Sequence, residues 1–270
     1  PFTSVVIFAV HPVPPQGTSD FSTPESAIVV IPARYQSSRL PGKPLADIAG
    51  RPMIEHVYRR AQAAESVDSV LVATDDTRIQ DAVTKFGGKA LLTVGDHPSG
   101  TDRLAEATRD LKFDFVINLQ ADEPLVDPGT IDLVLKALTN NPKISMSTVR
   151  CPIERPAELK NPNIVKVAID TSGLALYFSR SPIPYFRDVV PERAPTIYRH
   201  VGLYAYRREF LLHLASLKPT PLEQAEQLEQ LRALEHGYRI QTVEITEEPV
   251  GVDTQQDLDR VRRILSAGAP

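Results

Sequence analysis

The 270-residue chain contains a single cysteine, Cys151. One thiol excludes an internal disulfide framework and a cysteine-based metal site, and it suits a reducing compartment. A lone cysteine reads as packing rather than as a nucleophile. No apolar run approaches the roughly 18 residues of a membrane span. There is no excess of positive charge, because 30 Lys and Arg face 34 Asp and Glu for a formal net charge of −4. A general nucleic-acid binder would be basic. The patterns Gly-x-x-x-x-Gly-Lys-Ser/Thr, Gly-x-Gly-x-x-Gly, Gly-x-Ser-x-Gly and His-Glu-x-x-His are all missing. Their absence argues against P-loop ATPases, dinucleotide oxidoreductases, serine hydrolases and zincins. Residues 1–26 hold a short apolar run followed by a proline- and serine-rich stretch, with no basic segment before it. They fit a secretory signal poorly and read as an extension outside the fold, with 27–270 as one domain.

What is present is organised around residues 27–45. Ala27 to Ile31 is an apolar, β-branched run, the pattern of a buried parallel strand. Pro32 is expected to close it, having no N–H for a ladder. Arg34, Arg39 and Lys43 follow, spaced by Ser37, Ser38 and Gly42 and stiffened by Pro41 and Pro44. In open α/β sheets, ligands bind beyond the carboxyl ends of strands. Three cations on a proline-restrained loop at such an end suit a polyphosphate.

Strand and helix patterns then alternate. Strands are expected at 67–74, 90–94, 113–119 and 144–149, and helices at 51–64, 77–86, 101–111 and 128–138. That rhythm implies a mostly parallel, doubly wound sheet. The middle third breaks it. Residues 164–170 and 174–179 flank Thr171-Ser-Gly173, a hairpin signal, and 182–195 is proline-rich. A further strand is expected at 198–206. Together, about 151–206 forms a lobe of antiparallel strands. Residues 221–236 read as one helix with Leu222, Ala225, Leu228, Leu231 and Leu234 on one face. A strand at 239–244 and a last helix capped by Thr254 complete the pattern.

Two carboxylates stand where they could serve that polyphosphate. Asp122 follows the buried run 115–119 and is fixed by Pro124. Asp253 lies between the turn at Gly251 and a helix. Mg²⁺ takes few protein oxygens and fills its shell with water and phosphate, so two converging carboxylates suffice. Taken singly, each reads equally well as a turn or cap residue. Ser99, Gly100 and Thr101 precede a helix and present free N–H groups, with Arg103 one turn on. An ordinary helix start with Thr101 or Asp102 as cap fits those residues equally well. The period of two puts His200, Gly202 and Tyr204 on one strand face, a stripe suited to a polyhydroxylated ligand. Glu229 and Gln230 flank the apolar face of their helix, where solvation is the default.

The segments IPARYQSSRLPGKPL, VATDD, HPSGTDR, NLQADEP, YFSRSPIPY, YRHVGLYAYRREFL, LEQLRALEHGYRI and GVDTQQDL occur in this order between residues 31 and 258. In these segments the chain resembles the 3-deoxy-manno-octulosonate cytidylyltransferase (CMP-KDO synthetase) family. The resemblance implies a nucleotide-diphospho-sugar transferase-like fold, Mg²⁺, CTP and KDO as substrates, a cytoplasmic location without stable membrane insertion, and a homodimer built through the antiparallel lobe. It implies that Arg34 and Lys43 bind phosphates and that Ser99 and Gly100 lie near the nucleotide. Asp122 and Asp253 would hold the metal. Arg39, Arg103, Gln120, His200, Tyr204, Glu229 and Gln230 would line the sugar-acid pocket, and Arg180 would assist with phosphate or sugar. The family has Gly where Ala121 stands, and it offers no counterpart to residues 1–26. The alternatives are a sister cytidylyltransferase for an 8-amino-KDO analogue or sialic acid, a retaining glycosyltransferase, which would want Asp-x-Asp, and a non-catalytic nucleotide binder.

Overall fold

The computed structural model describes residues 25–37, 40–94, 97, 100–187 and 195–267. Strand β1 (Ala27–Ala33) lies inside the sheet, buried at every residue except the half-buried Pro32. Its odd-numbered residues Ala27, Val29, Ile31 and Ala33 pack into one core, and Ile28 and Val30 into another on the opposite face. Burial on both faces is why the run is continuously apolar rather than alternating. Each buried Val or Ile contributes about 1.5–3 kcal/mol. The strand runs through Pro32, which pairs with Ala73, and ends at Ala33, two residues later than expected. The ladder to the other neighbour stops at Val30↔Asn118, so the missing N–H of Pro32 falls beyond the point where that side is paired.

Parallel strands β4 (Ser69–Thr74) and β6 (Phe115–Asn118) flank β1, and β5 (Ala90–Leu92) extends the edge beyond β4. A small antiparallel pair, β2 (Asp47–Ile48) and β3 (Arg51–Pro52), lies outside the main sheet. Helices α1 (Met53–Gln62) and α4 (Pro128–Thr139) cover one face. Helices α3 (Gly100–Thr108) and α6 (Arg208–Ser216) cover the other. Helix α2 (Thr77–Lys85) is capped by Asp76, whose side chain accepts from the Arg78 N–H.

The middle third departs from the expected lobe. Strand β10 (Tyr198–Arg207) is inserted antiparallel into the main sheet between β6 and β7 (Met146–Pro152). Only its first residues, Tyr198 and Arg199, also pair with β8 (Lys166–Ile169), which continues as a hairpin into β9 (Ala175–Ser179). Gly173 turns that hairpin at φ +79°, where a side chain would be strained. Helix α5 (Pro156–Leu159) leads into this lobe, and β11 (Ile240–Glu244) closes the sheet parallel to β7.

The helix expected over 221–236 is two helices, α7 (Pro221–Glu226) and α8 (Gln230–Glu235). Gln227 breaks them apart in the left-handed region, at φ 53° and ψ 50°. The two pieces are joined by a buried ion pair. Arg232 donates to both oxygens of Glu223, from Nε at 2.9 Å and Nη2 at 2.5 Å. Helix α9 (Gln255–Ala267) starts as expected, with Thr254 Oγ1 accepting from the Asp257 N–H. No helix among the described residues is long and apolar enough to cross a membrane. Replacing Glu223 by Ala leaves the Arg232 guanidinium buried without its partner, so urea unfolding is expected to show a loss of about 3–5 kcal/mol.

Candidate active site

The end of β1 feeds a loop that local contacts hold in one shape. Gly42 sits at φ +70°, and a Cβ there would lie 3.2 Å from the Tyr35 ring. Its N–H donates to the Tyr35 carbonyl at 2.9 Å. That ring also carries the Arg78 guanidinium, 3.3 Å from its centroid. Arg78 is itself held by Asp76, with Nε and Nη2 donating to the two carboxylate oxygens at 2.9 and 2.6 Å. A short 3₁₀ turn over Lys43–Leu45 then aims Lys43 back across the strand ends.

Lys43 is the meeting point of three distant segments. Its Nζ donates to Asp122 at 2.5 Å, to the Val252 carbonyl at 2.9 Å and to Asp253 at 3.3 Å. The two acidic segments are also tied directly, since the Val252 N–H donates to the Asp122 carbonyl at 2.9 Å. Both carboxylates therefore face one cation-sized position. Glu123, which the sequence reading passed over, lies beside them. Burial, then the charges of Asp122 and Asp253, push its carboxyl up to about 8. It packs against Gly251, where a Cβ would come within 3.0 Å of Glu123 Oε1. Its signal in the sequence was its place next to a strand-end aspartate.

Two cavities meet at this point. One, of ≈ 470 Å³, is lined by Arg34, Lys43, Arg103, Asp122 and Asp253. The other, of ≈ 270 Å³, is lined by Tyr204, Tyr206, Glu229 and Gln230 on the α8 side. Gly100 and Gln120 belong to both. Arg34 donates to the His97 carbonyl at 2.6 Å, linking the cationic loop to the segment before α3. Arg103 is fully buried. It donates to Asp75 at 2.7 Å and to Thr93 at 2.5 Å, while its Nε has no partner. Gln230 is 4% exposed and its side-chain N–H₂ also has no partner. An unpaired buried donor costs free energy until a ligand accepts from it. Ala121 lines the larger cavity with 9% exposure, so its methyl faces the same space as Asp122.

Two expected contributors stand apart from the cavities. His200 lines neither, although its ring stays beside that of Tyr204, with centroids 5.3 Å apart, as the alternation implied. Its Nε2 instead meets Thr148 Oγ1 at 2.9 Å, and its ring packs on Phe178. Arg180 lines neither cavity. Its guanidinium donates to the carbonyls of Glu226 at 2.7 Å, Pro162 at 3.0 Å and Gln227 at 3.3 Å, holding the turn between α7 and α8. Arg39 and Ser99 lie outside the described residues, as does the extension through residue 24.

Desolvation pushes the His200 imidazole down from 6.5 to about 3. The unfolded chain takes up this proton near pH 6.5 and the native protein does not, so stability is full above that value and declines as pH falls towards 3. Thermal midpoints measured between about pH 7.5 and 5 are expected to fall with pH, and to fall less steeply in His200→Gln.

Residues 28–242 match the family model described as Cytidylyltransferase. The 3-deoxy-manno-octulosonate cytidylyltransferase of Geobacter sulfurreducens is 50% identical over 240 residues, 86% of this chain and 96% of that protein. Its counterpart in Syntrophotalea carbinolica is 49% identical over 246 residues, 89% and 98% of the two chains. A solved CMP:2-keto-3-deoxy-manno-octonic acid synthetase in complex with CTP superposes with a TM-score of 0.86 at 46% identity, covering 91% of this chain and all of that one.

Proposed function

The chain belongs to the 3-deoxy-manno-octulosonate cytidylyltransferase family, and on that premise we propose that it transfers CMP from CTP to the anomeric hydroxyl of KDO, releasing pyrophosphate. The observation that carries the reading is the pair of cavities joined at Gly100 and Gln120. One has the cations and carboxylates that a triphosphate needs. The other is lined by hydrogen-bonding side chains and aromatic rings, which suits a hydroxyl-rich acid. Their shared border brings the α-phosphate and the sugar together, and such a reaction is accelerated chiefly by positioning and charge stabilisation.

The donor set fits Mg²⁺. Asp122 and Asp253 already face a common cation, the Lys43 ammonium. Among the described residues no cluster of three or more His, Cys, Asp or Glu could hold a metal, and Mg²⁺ needs no such cluster when phosphates and water complete its shell. Held by Asp122 and Asp253, it would polarise the α-phosphate and acidify the attacking hydroxyl.

Arg34 and Lys43 bind the phosphates and offset the charge that builds on the departing pyrophosphate. The N-terminus of α3, starting at Gly100, faces the nucleotide. Gln120, Tyr204, Glu229 and Gln230 orient the sugar acid so that its anomeric oxygen attacks in line. No side chain is required as a general base, because the nucleophile is activated by charge. The β8–β9 hairpin leaves Leu176 61% exposed, and the segment after it leaves Tyr185 88% exposed, apolar surface that supports a homodimer through this lobe. The reaction belongs in the cytoplasm, where a lone thiol stays reduced.

A pyrophosphate-release assay crossing CTP and UTP with KDO and sialic acid is expected to give turnover with CTP and KDO. Turnover with sialic acid alone would replace the sugar assignment. Asp122→Asn is expected to lose at least about 100-fold in kcat while keeping its unfolding midpoint within a few degrees, and near-normal turnover would sink the carboxylate's role. Light scattering is expected to report twice the chain mass, and Leu176→Lys to shift it towards the monomer.

A further inference from the structure

We propose that Glu226 is a positioning residue for the sugar acid, one side of a two-way bracket that fixes the turn at Gln227 to the end of strand β9. The inference rests on the assignment of the ≈ 270 Å³ cavity to the sugar acid. Glu226 lines neither cavity. The residues that follow it, Gln227, Leu228, Glu229 and Gln230, all line the smaller one.

Little in the turn's own sequence fixes it. It joins two six-residue helices, α7 and α8, each too short to be stable alone. Gln227 between them is left-handed without being glycine, a backbone that persists only where its surroundings impose it. The buried Arg232–Glu223 pair is one anchor. Residues 179 and 180 are the other. The Ser179 hydroxyl donates to Glu226 Oε1 at 2.6 Å, and the Arg180 N–H donates to Glu226 Oε2 at 2.9 Å. Both carboxylate oxygens are thereby engaged. Arg180 returns the grip, with Nε donating to the Glu226 carbonyl at 2.7 Å and Nη2 to the Gln227 carbonyl at 3.3 Å.

The bracket stands on a fixed base. Lys166 is fully buried, and its Nζ donates to the carbonyls of Asn161 at 3.1 Å, Ile164 at 2.7 Å and Arg180 at 2.5 Å. An ammonium has three protons, so all of them hold main chain in place. Lys166 pairs with Ser179 across the β8–β9 hairpin and with Arg199 at the start of β10. β10 carries Tyr204 and Tyr206, which line the same cavity as the turn. The tyrosines and the turn are therefore joined by a continuous path through β10, β8 and β9, and the Glu226 carboxylate is its last link. Without that carboxylate the buried Ser179 hydroxyl loses its acceptor, and so does the Arg180 N–H. Glu229 and Gln230 can then shift relative to the tyrosines, which weakens a ligand held between them. The larger cavity draws none of its lining from this turn, so the nucleotide side is left intact.

The test compares wild type with Glu226→Ala, Glu226→Gln, Ser179→Ala and the double variant Ser179→Ala with Glu226→Ala, all in the full chain. Pyrophosphate release gives KM for each substrate, and amide hydrogen exchange follows residues 226–231. Glu226→Ala is expected to raise KM for KDO about ten-fold and CTP KM by less than about two-fold, with faster exchange over 226–231. Ser179→Ala is expected to raise KDO KM about three-fold, and the double variant to be no worse than Glu226→Ala, because both substitutions remove the same bond. An unchanged KDO KM overturns the proposal, as does an equal rise for CTP, or effects that multiply in the double variant. Should Glu226→Ala fail to fold, Glu226→Gln, which keeps one acceptor oxygen, carries the same comparison with a rise of about three-fold. If wild type releases no pyrophosphate from CTP and KDO, it is the proposed reaction that falls. Exchange then decides the bracket alone: faster exchange in Glu226→Ala and Ser179→Ala supports it, and unchanged exchange overturns it.

Discussion

One ammonium group ties the site together. Lys43 comes from the loop after the first strand, Asp122 from the end of β6 and Asp253 from the approach to the last helix. The contact spans 210 residues of sequence. Without a cation the half-buried Asp122 carboxylate and the more exposed Asp253 carboxylate would repel each other. The raised Glu123 carboxyl beside them reflects the same crowding of negative charge in a low-dielectric place. A site with this balance is prepared for cationic or cation-bridged phosphate chemistry before any substrate arrives, and preorganisation of this kind is the main resource of an enzyme that transfers phosphoryl groups.

Rigidity on the sheet side is what keeps that ammonium in place. β1 is buried on both faces, so it cannot shift register without moving two cores. The loop leaving it is braced by Tyr35, which meets both Gly42 and Arg78, and Arg78 is clamped by Asp76. Asp76 thus both caps α2 and steadies the loop that carries Lys43. Around the smaller cavity the bracing is different in kind. A strained turn at Gln227 is held by Arg180 from the antiparallel lobe and by the buried Arg232–Glu223 pair from beneath. This turn aims Leu228, Glu229 and Gln230 into the smaller cavity.

The sequence by itself determined the central parallel strand, the alternation of strands and helices, the cationic loop and the two carboxylates, because each depends on local pattern: an apolar run, a period, or a proline or glycine fixing a turn. Tertiary structure decided what local pattern cannot carry. It placed β10 inside the sheet, because a strand's neighbours are chosen by the whole packing and not by its own residues. It split the helix at 221–236, because the apolar stripe was compatible with a break that the Arg180 and Arg232 contacts stabilise. It buried His200 behind Tyr204, against Thr148 and Phe178, partners that its own strand does not supply.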